Sequence, residues 1–297
     1  MSRKHPVVVV TGSSGAGTTT VKQALESIFH RQKVKSVMIQ GDAFHRYDRH
    51  TMQKMIEEAS QRGENFSHFG ERANQFERLE GLFKTYGETG RGQQRHYLHN
   101  DKQAQYHSER LGQEFRAGEF TPWEEIDSDT DMLVYEGLHG LIKSNGVNMG
   151  RYVDFKVGVV PVLNLEWIQK IQRDHAERGY SEEEVVESIL RRMPDYVKYI
   201  TPQFSDTDIN FQRVATVDTS NPFIARDIPT LDESFVVIRF RKPSIHKTDF
   251  TSLLSLISGS FMSRRNTIVV PGSKMRLAME VILTPIIQSL LHQREHS

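Results

Sequence analysis

Apolar residues in this chain fall into short β-branched runs separated by stretches with three-to-four spacing. The first run, Pro6-Val7-Val8-Val9-Val10, is too short for a helix and apolar on both faces. That is the pattern of a central strand in a covered parallel sheet. After a small-residue stretch from Gly12 to Thr20, the spacing of Val21, Leu25, Ile28 and Phe29 predicts a helix with one buried stripe. Ser36 to Gln40 predicts a second strand, ending in Gly41-Asp42. The opening fifty residues therefore read strand–loop–helix–strand, the minimal unit of a parallel α/β sheet. Strand patterns return at Met132–Tyr135, Phe155–Val160, Phe235–Phe240 and Thr267–Val270. A long helical pattern runs from about Leu163 to Tyr199, broken at Gly179-Tyr180, where Ser181 and Glu184 form a capping box. Lys274 to Leu291 predicts a closing helix, and Arg241 to Thr248 an exposed basic loop.

Residues 46–130 differ in texture. They are rich in Arg, His, Gln, Glu and Gly, with short helical patterns such as Phe76 to Tyr86 and few strand signals. No separate sheet or long apolar pattern is evident there. The expectation is one domain spanning residues 1–297, with 46–130 inserted as a helical and loop-rich cap over the substrate.

Composition narrows the function classes. Apolar residues are 37% of the chain, and with 20 Gly this supports a sizeable core and excludes disorder over most of it. The absence of cysteine removes disulfides, Cys-ligated zinc and thiol nucleophiles together. With 38 Lys+Arg against 38 Asp+Glu the net charge is zero, unlike a dedicated nucleic-acid binder. No apolar run reaches the roughly 18 residues of a membrane span. The five-residue apolar stretch near the N-terminus is too short for a signal peptide, so a cytoplasmic protein is expected.

Gly12-x-x-x-x-Gly17-x-Thr19 has the spacing of a phosphate-binding P-loop between a buried strand and a helix. In such a loop, backbone N–H groups of Gly12, Ser13, Ser14, Gly15, Ala16, Gly17, Thr18, Thr19 and Thr20 converge on an anion at a helix N-terminus. The hydroxyl of Thr19 can hold Mg²⁺. Thr18 stands where the usual motif has Lys. Without that lysine, a plain small-residue turn remains the alternative.

Two strand ends bear on the choice. In an open parallel sheet the carboxyl ends of the strands face the ligand crevice, which places Asp42 beside the loop. A carboxylate there can take the proton of an attacking hydroxyl, or it can simply cap a turn. Glu136, ending the run Met132-Leu-Val-Tyr-Glu136, suits the water-bridged metal carboxylate of P-loop enzymes, or a solvated strand end. Lys170, Arg173 and Asp174 share one helical face, which would supply the charge that Thr18 lacks, unless it is a solvated surface with an internal ion pair.

Taken together, the segments Gly12–Thr20, Gln40-Gly41-Asp42-Ala43-Phe44-His45-Arg46, Tyr135-Glu-Gly-Leu-His-Gly140, Asn164-Leu-Glu-Trp-Ile-Gln-Lys170, Pro202-Gln-Phe-Ser, Asn210-Phe-Gln-Arg213, Val217–Phe223 and Asp232-Glu-Ser resemble the phosphoribulokinase family. The likeness is closest to its short bacterial type, within the P-loop small-molecule kinases that include uridine kinase. It runs from about His5 to about Leu291, and the loop without lysine is part of the bacterial pattern. The resemblance implies a P-loop NTPase-type fold: a mixed, mainly parallel α/β sheet flanked by helices. The family's reaction transfers a phosphoryl group from ATP, with Mg²⁺, to ribulose 5-phosphate, giving ribulose 1,5-bisphosphate. Position by position, Asp42 matches the catalytic base, and His45, Arg49, Tyr97 and His99 the sugar-phosphate pocket. Glu136 matches the metal carboxylate and Asp174 a second acid near it. Lys170, Arg173 and Arg178 match the cationic helix and lid over the transferring group, with Arg178 on the ATP side. Arg191, Arg192 and Arg239 match residues of the effector response, in which NADH activates and AMP inhibits. Family members are homo-oligomers, often octamers. The cysteine pair of the plant-type enzymes has no counterpart here.

The residues alone support the acceptor pocket in part. Seven of 13 histidines lie between 41 and 140, beside Arg46, Arg49, Arg72 and Arg95, and such donors suit a phosphorylated polyol. A zinc site from His96 and His99 lacks a third ligand. The rival readings are a kinase for a nucleoside, pantothenate or another sugar phosphate, a non-catalytic nucleotide-binding regulator, and a nucleic-acid-dependent ATPase.

Overall fold

The computed structural model describes residues 4–12, 18–127, 129–178, 180–225, 227–244 and 248–295. The side chains of Thr18, Thr19, Glu177, Arg178 and Glu295 are not among them. Strand β1 (Val7–Gly12) is followed by helix α1 (Thr18–Gln32), strand β2 (Ser36–Gln40) and a 3-10 turn over Gly41–Phe44. Then come α2 (Arg49–Gln61), α3 (Phe76–Thr89), β3 (Gln93–Gln94), α4 (Asp101–Leu111) and β4 (Glu124–Glu125). The chain returns to the sheet in β5 (Met132–Gly137), makes a small hairpin of β6 (Lys143–Ser144) and β7 (Val147–Asn148), and re-enters as β8 (Phe155–Val160). Helices α5 (Leu163–Arg178) and α6 (Glu182–Asp195) lead through a π-helical turn at Tyr196–Ile200 into β9 (Ile209–Ala215) and β10 (Ser234–Phe240). The last elements are α7 (Phe250–Leu256), β11 (Phe261–Arg264), β12 (Thr267–Pro271) and α8 (Met275–Glu295).

Among the described residues, eight strands form one sheet in the order β2-β5-β1-β8-β9-β10-β12-β11. The five from β2 to β9 are parallel, and β10, β12 and β11 continue antiparallel. This is the mixed, mainly parallel α/β sheet that the sequence predicts. Alternation within the apolar runs divides the core. Val8, Val10, Met132 and Val134 face α1 and α8, while Val7, Val9, Leu133 and Tyr135 face α3 through Phe76, Leu79, Phe83 and Tyr86. Thus α3, although inside 46–130, forms part of the main layer. Helices α2 and α4 instead sit over small clusters, one around Met52, Ala59, Phe66 and Ala73, the other around Leu98, Ala104 and Phe115.

Helix ends follow the sequence signals. Asp48 and Asn100 cap α2 and α4 by accepting from the backbone N–H of Thr51 and Gln103. Ser181 and Glu184 make both bonds of the capping box, at 3.2 and 2.8 Å. The basic loop after Arg241 lies partly outside the described residues, and Arg241 itself binds the backbone oxygen of Asp206 at 3.1 Å. No described helix is long and apolar enough to cross a membrane.

Two close approaches set the geometry of the sheet's carboxyl edge. A Cβ on Gly12 would lie 2.5 Å from the carbonyl oxygen of Val159 on β8. A Cβ on Gly137 would lie 2.8 Å from the Cα of Gly41 and 2.8 Å from the Tyr135 hydroxyl. The second contact draws the turn carrying Asp42 onto the end of β5. Gly137→Ala is therefore expected to cost about 1–3 kcal/mol in urea unfolding, through overpacking against backbone. A variant with an unchanged unfolding midpoint would remove this steric constraint.

Candidate active site

Parallel register aligns the carboxyl ends of β1, β5 and β2. Val10 pairs with Glu136, which pairs in turn with Gln40. Two residues further on, β1 ends at Gly12 and β2 leads into Asp42. The start of the phosphate loop, one acid and a second acid thus share one edge, where ligands bind in open α/β sheets. Ser13, Ser14, Gly15, Ala16 and Gly17 lie outside the described residues. Helix α1 begins at Thr18, which places the loop between β1 and a helix N-terminus.

Gln203 ties this edge together. Its side-chain oxygen accepts from the Leu141 backbone at 2.8 Å and the Thr11 hydroxyl at 3.2 Å, and its amide donates to Leu138 and Tyr199 carbonyls at 2.8 and 2.9 Å. The sequence marks Gln203 only through the Pro202-Gln-Phe-Ser match. Its role as a hub depends on contacts distant along the chain, which no local pattern reports.

Asp42 does not cap its turn, since the N-cap is Gln40 and makes no side-chain bond. The carboxylate instead faces two imidazoles. His45 Nε2 is 3.2 Å from Oδ1, and His99 Nε2 is 3.6 Å from Oδ2. Enclosure alone raises the Asp42 pKa, but the His45 hydrogen bond and the charges of His45, His99 and His68 outweigh it and hold the carboxyl well below its usual range. Burial lowers the His45 pKa, yet the bond and charge of Asp42 leave it above its ordinary value. Tyr97 completes the group, with ring centroids 4.9 Å from His99 and 6.4 Å from His45. Arg49, at the start of α2, donates to the His99 carbonyl at 2.9 Å. The structure therefore brings Asp42, His45, Arg49, Tyr97 and His99 together.

Three of the arginines grouped with this pocket by sequence hold the scaffold instead. Arg95 donates to the carbonyls of Ala43 and His45 at 2.8 and 2.7 Å and lies 3.7 Å from the centre of the Phe120 ring. Burial, with repulsion from Arg78, lowers its pKa to about 10. Arg46 donates to the Asn74 carbonyl, and Arg72 pairs with Glu64 at 3.0 Å. The cue for Arg95 is present in sequence only as nearby aromatics. His96 stacks on His107 at 4.6 Å, turned to a different partner from His99.

Of two further histidines behind Asp42, His68 carries no sequence signal and His139 is marked only through the Tyr135–Gly140 match. His68 lies 4.8 Å from the His45 ring, and burial with the charges of His45 and Arg192 takes its pKa well below the ordinary value. His139 is fully enclosed and pushed down to about 3 by burial and His45. Its Nε2 lies 3.1 Å from the Phe69 carbonyl oxygen.

On α5, the buried Asp174 is held between two cations. Lys170 binds Oδ2, and Arg173 NH2 lies 3.1 Å from Oδ1. Burial and the nearby Arg192 lower the Lys170 pKa against the pull of Asp174. The shared face predicted for these residues is thus an internal ion cluster, with Lys170 and Arg173 still partly exposed. The Arg178 side chain lies outside the described residues. Arg191 and Arg192, adjacent on α6, point apart. Arg191 lines a groove against α2 with Glu57 and Gln61, whereas Arg192 sits beside Lys170 and His68. Arg239 stands exposed on β10, opposite Asn210 and Thr267.

The hard oxygen donors at this edge fit magnesium. Glu136 lies at the end of β5, whereas both oxygens of Asp174 face cations.

Comparison with known proteins agrees with this geometry. The family described as "Phosphoribulokinase / Uridine kinase family" matches residues 7–220. The chromosomal phosphoribulokinase of Cupriavidus necator is 56% identical over 298 residues, covering 100% of this chain and 99% of that protein. The phosphoribulokinase of Nitrobacter vulgaris is 54% identical, covering 100% of both. Among solved structures, a phosphoribulokinase from Rhodobacter spheroides superposes with a TM-score of 0.88 at 52% identity, covering 98% of this chain and 99% of that one. With a family match across most of its length and relatives aligned end to end, this chain belongs to the phosphoribulokinase/uridine kinase family.

Proposed function

We infer that the chain is an ATP-dependent kinase that phosphorylates the primary hydroxyl of ribulose 5-phosphate to give ribulose 1,5-bisphosphate. The observation that carries the choice of acceptor is a carboxylate flanked by two imidazoles and an arginine at the phosphate-loop edge, in a chain aligned end to end with phosphoribulokinases. A neutral nucleoside gives no reason for cations beside the base, and pantothenate, with a carboxylate in place of a phosphate, is separated by the end-to-end match to phosphoribulokinases. ATP and Mg²⁺ follow from the kinase family.

In this mechanism Asp42 accepts the proton of the attacking hydroxyl and orients its oxygen towards the γ-phosphoryl group. His45, His99, Arg49 and Tyr97 hold the sugar phosphate so that this hydroxyl lies against Asp42. Lys170 and Arg173, fixed by Asp174, present positive charge to the equatorial oxygens of the transferring group and replace the lysine absent at Thr18. Arg178 extends that surface on the ATP side, and the backbone of Gly12 to Thr20 cradles the β- and γ-phosphates. Thr19 and Glu136 would hold magnesium, directly and through water. When bound, the ion neutralises charge on the phosphate oxygens.

Residues 46–130 serve as the acceptor-binding cap of a single kinase domain, because they supply Arg49, Tyr97 and His99 to a base borne by the sheet. A cytoplasmic location, assembly into a homo-oligomer such as an octamer, and activation by NADH through Arg191, Arg192 and Arg239 belong to the same proposal. They rest on the family resemblance. Within one chain Arg191 and Arg192 face different surroundings, so a shared effector site requires a change in α6 or a second subunit.

The test is ADP release with ribulose 5-phosphate, uridine and pantothenate in parallel, with and without NADH. Turnover confined to ribulose 5-phosphate is expected, and preference for uridine or pantothenate would overturn the reading. Asp42→Asn should leave nucleotide affinity nearly intact while kcat falls by about three orders of magnitude or more. Near wild-type turnover would remove Asp42 from the base role. Arg173→Ala should lower kcat far more than it weakens ATP binding, as loss of transition-state charge requires. An effect on substrate KM alone would count against that role.

The pH dependence follows from the same pair. A raised His45 pKa means that its charge is fully present below about pH 6.5 and is lost as pH rises through the folded value. A depressed Asp42 pKa means that its charge is lost only as pH falls through that low value. The KM for ribulose 5-phosphate should therefore stay low at neutral pH and climb on the alkaline side, with a smaller change in ATP KM. A sugar-phosphate KM that is flat with pH would exclude His45 as a phosphate-binding cation.

A further inference from the structure

His45 is held on both sides of its ring. Nε2 faces Asp42 at 3.2 Å, and Nδ1 lies 2.8 Å from the side-chain oxygen of Asn74. His45 and Asn74 are both buried, at 6% and 2% exposure, and their backbones form an antiparallel bridge. Flanking bonds lock that bridge: Gln75 N–H donates to Phe44 and Arg46 N–H to Ala73, at 2.9 and 2.8 Å. Arg46 adds a side-chain bond to the Asn74 carbonyl at 2.8 Å.

The orientation of the Asn74 amide is set by its other contacts. Nδ2 lies 2.8 Å from the His68 carbonyl and 2.7 Å from the Gly70 carbonyl. Two acceptors demand a donor there, and reversing the amide would set its oxygen against both. The atom facing His45 is therefore the amide oxygen, which can only accept. It follows that Nδ1 carries the hydrogen. A neutral ring of that tautomer would turn the lone pair of Nε2 towards the acceptor-only oxygen of ionised Asp42. The contact needs one further proton between Nε2 and Oδ1.

We propose that Asn74 is a positioning residue that acts through His45: by holding the Nδ1 hydrogen, it lets the ring meet ionised Asp42 only as an imidazolium. A positive charge is thereby fixed beside the acceptor site, which an unconstrained histidine bound through a neutral Nε2–H would not supply. This inference rests on the reading of Asp42 as the base. Burial lowers the proton affinity of His45, and the bonds to Asp42 and Asn74 together outweigh it. The other titratable or charged groups around the ring are His68, Tyr97, His99, His139 and Arg95. Arg95 and Asp42 act on His45 with opposite sign.

The test is imidazole nitrogen NMR of the full chain labelled at histidine, across pH, with the His45 signal assigned by its loss in His45→Gln. In the wild type, Nδ1 should stay protonated at every pH, and the neutral form on the alkaline side should be the Nδ1–H tautomer. In Asn74→Ala, the Nε2–H tautomer should dominate the neutral form, with proton affinity lower by about tenfold. The alkaline rise in ribulose 5-phosphate KM should move to lower pH with it, a change that loosened packing alone would not produce. A wild-type His45 found neutral as Nε2–H would overturn the proposal, as would Asn74→Ala spectra matching those of the wild type. If Asn74→Ala does not fold, the wild-type spectrum alone decides. These spectra need no substrate, so a chain inactive on ribulose 5-phosphate would sink the functional reading separately.

Discussion

The register between β1, β5 and β2 is the constraint on which the site depends. Because these parallel strands pair residue for residue, their carboxyl ends finish together, and the loops leaving them must open on one edge. A one-residue slip of β5 would exchange the faces of Tyr135 and Val134, breaking both halves of the core at once. The register is therefore over-determined by burial, and Glu136 and Asp42 inherit their relative position from it. The Gly41–Gly137 approach converts that alignment into contact. Chemistry at the edge is carried by polar residues, but their placement is enforced by valines two layers below.

Above this edge, most cations have structural duties. Arg95 clamps the carbonyls on either side of Phe44, stacked between Phe120 and Trp123. Removing it would take the Arg95 donor from the Ala43 carbonyl and leave the His45 carbonyl with the longer bond from Gln75 Nε2 at 3.3 Å, and the turn bearing Asp42 would lose its outer wall. Arg46 holds Asn74, and Asn74 holds His45. The pocket is thus built in shells. Arginines fix backbone, backbone and amides fix imidazoles, and imidazoles face the carboxylate.

The sequence made the strands, α1, the capping box and the sheet-edge acids legible, because each depends on local pattern: β-branched runs, spacing, or a residue just past a strand. Helices α2 and α4 left weaker traces, since each buries little apolar surface, Met52 and Ala59 in α2 and Ala104 in α4. Their caps Asp48 and Asn100 emerge only in the structure. Strand β9 alternates only loosely, because its apolar Ile209 and Phe211 are followed by half-buried residues. Gln203, Asn74, His68 and His139 were not legible as site residues. Their roles depend on partners distant along the chain, as in the bonds of Asn74 to His45, 29 residues away, and of Gln203 to Thr11, 192 residues away. Arg95, grouped by sequence with the cations near the pocket, binds backbone carbonyls, because composition shows a cation but not what it is committed to.

The environments of the two best-held acids argue for a division of labour. Asp174 lies between the Lys170 ammonium and the Arg173 guanidinium. In the proposed mechanism such a carboxylate serves to fix Lys170 and Arg173 in place. Among the described residues, Asp42 faces the imidazoles of His45 and His99, and an imidazole can change its charge near neutral pH. In the proposed mechanism, when His45 is cationic, Asp42 is a weak base but the pocket attracts phosphate. When the imidazole gives up its charge, Asp42 gains basicity and the pocket loses affinity. Proton affinity at the base and charge at the acceptor site are therefore opposed through one hydrogen bond, and the useful pH window is the one in which neither is spent. Asn74 sets where that window lies, because it decides whether the bond to Asp42 can survive loss of the charge.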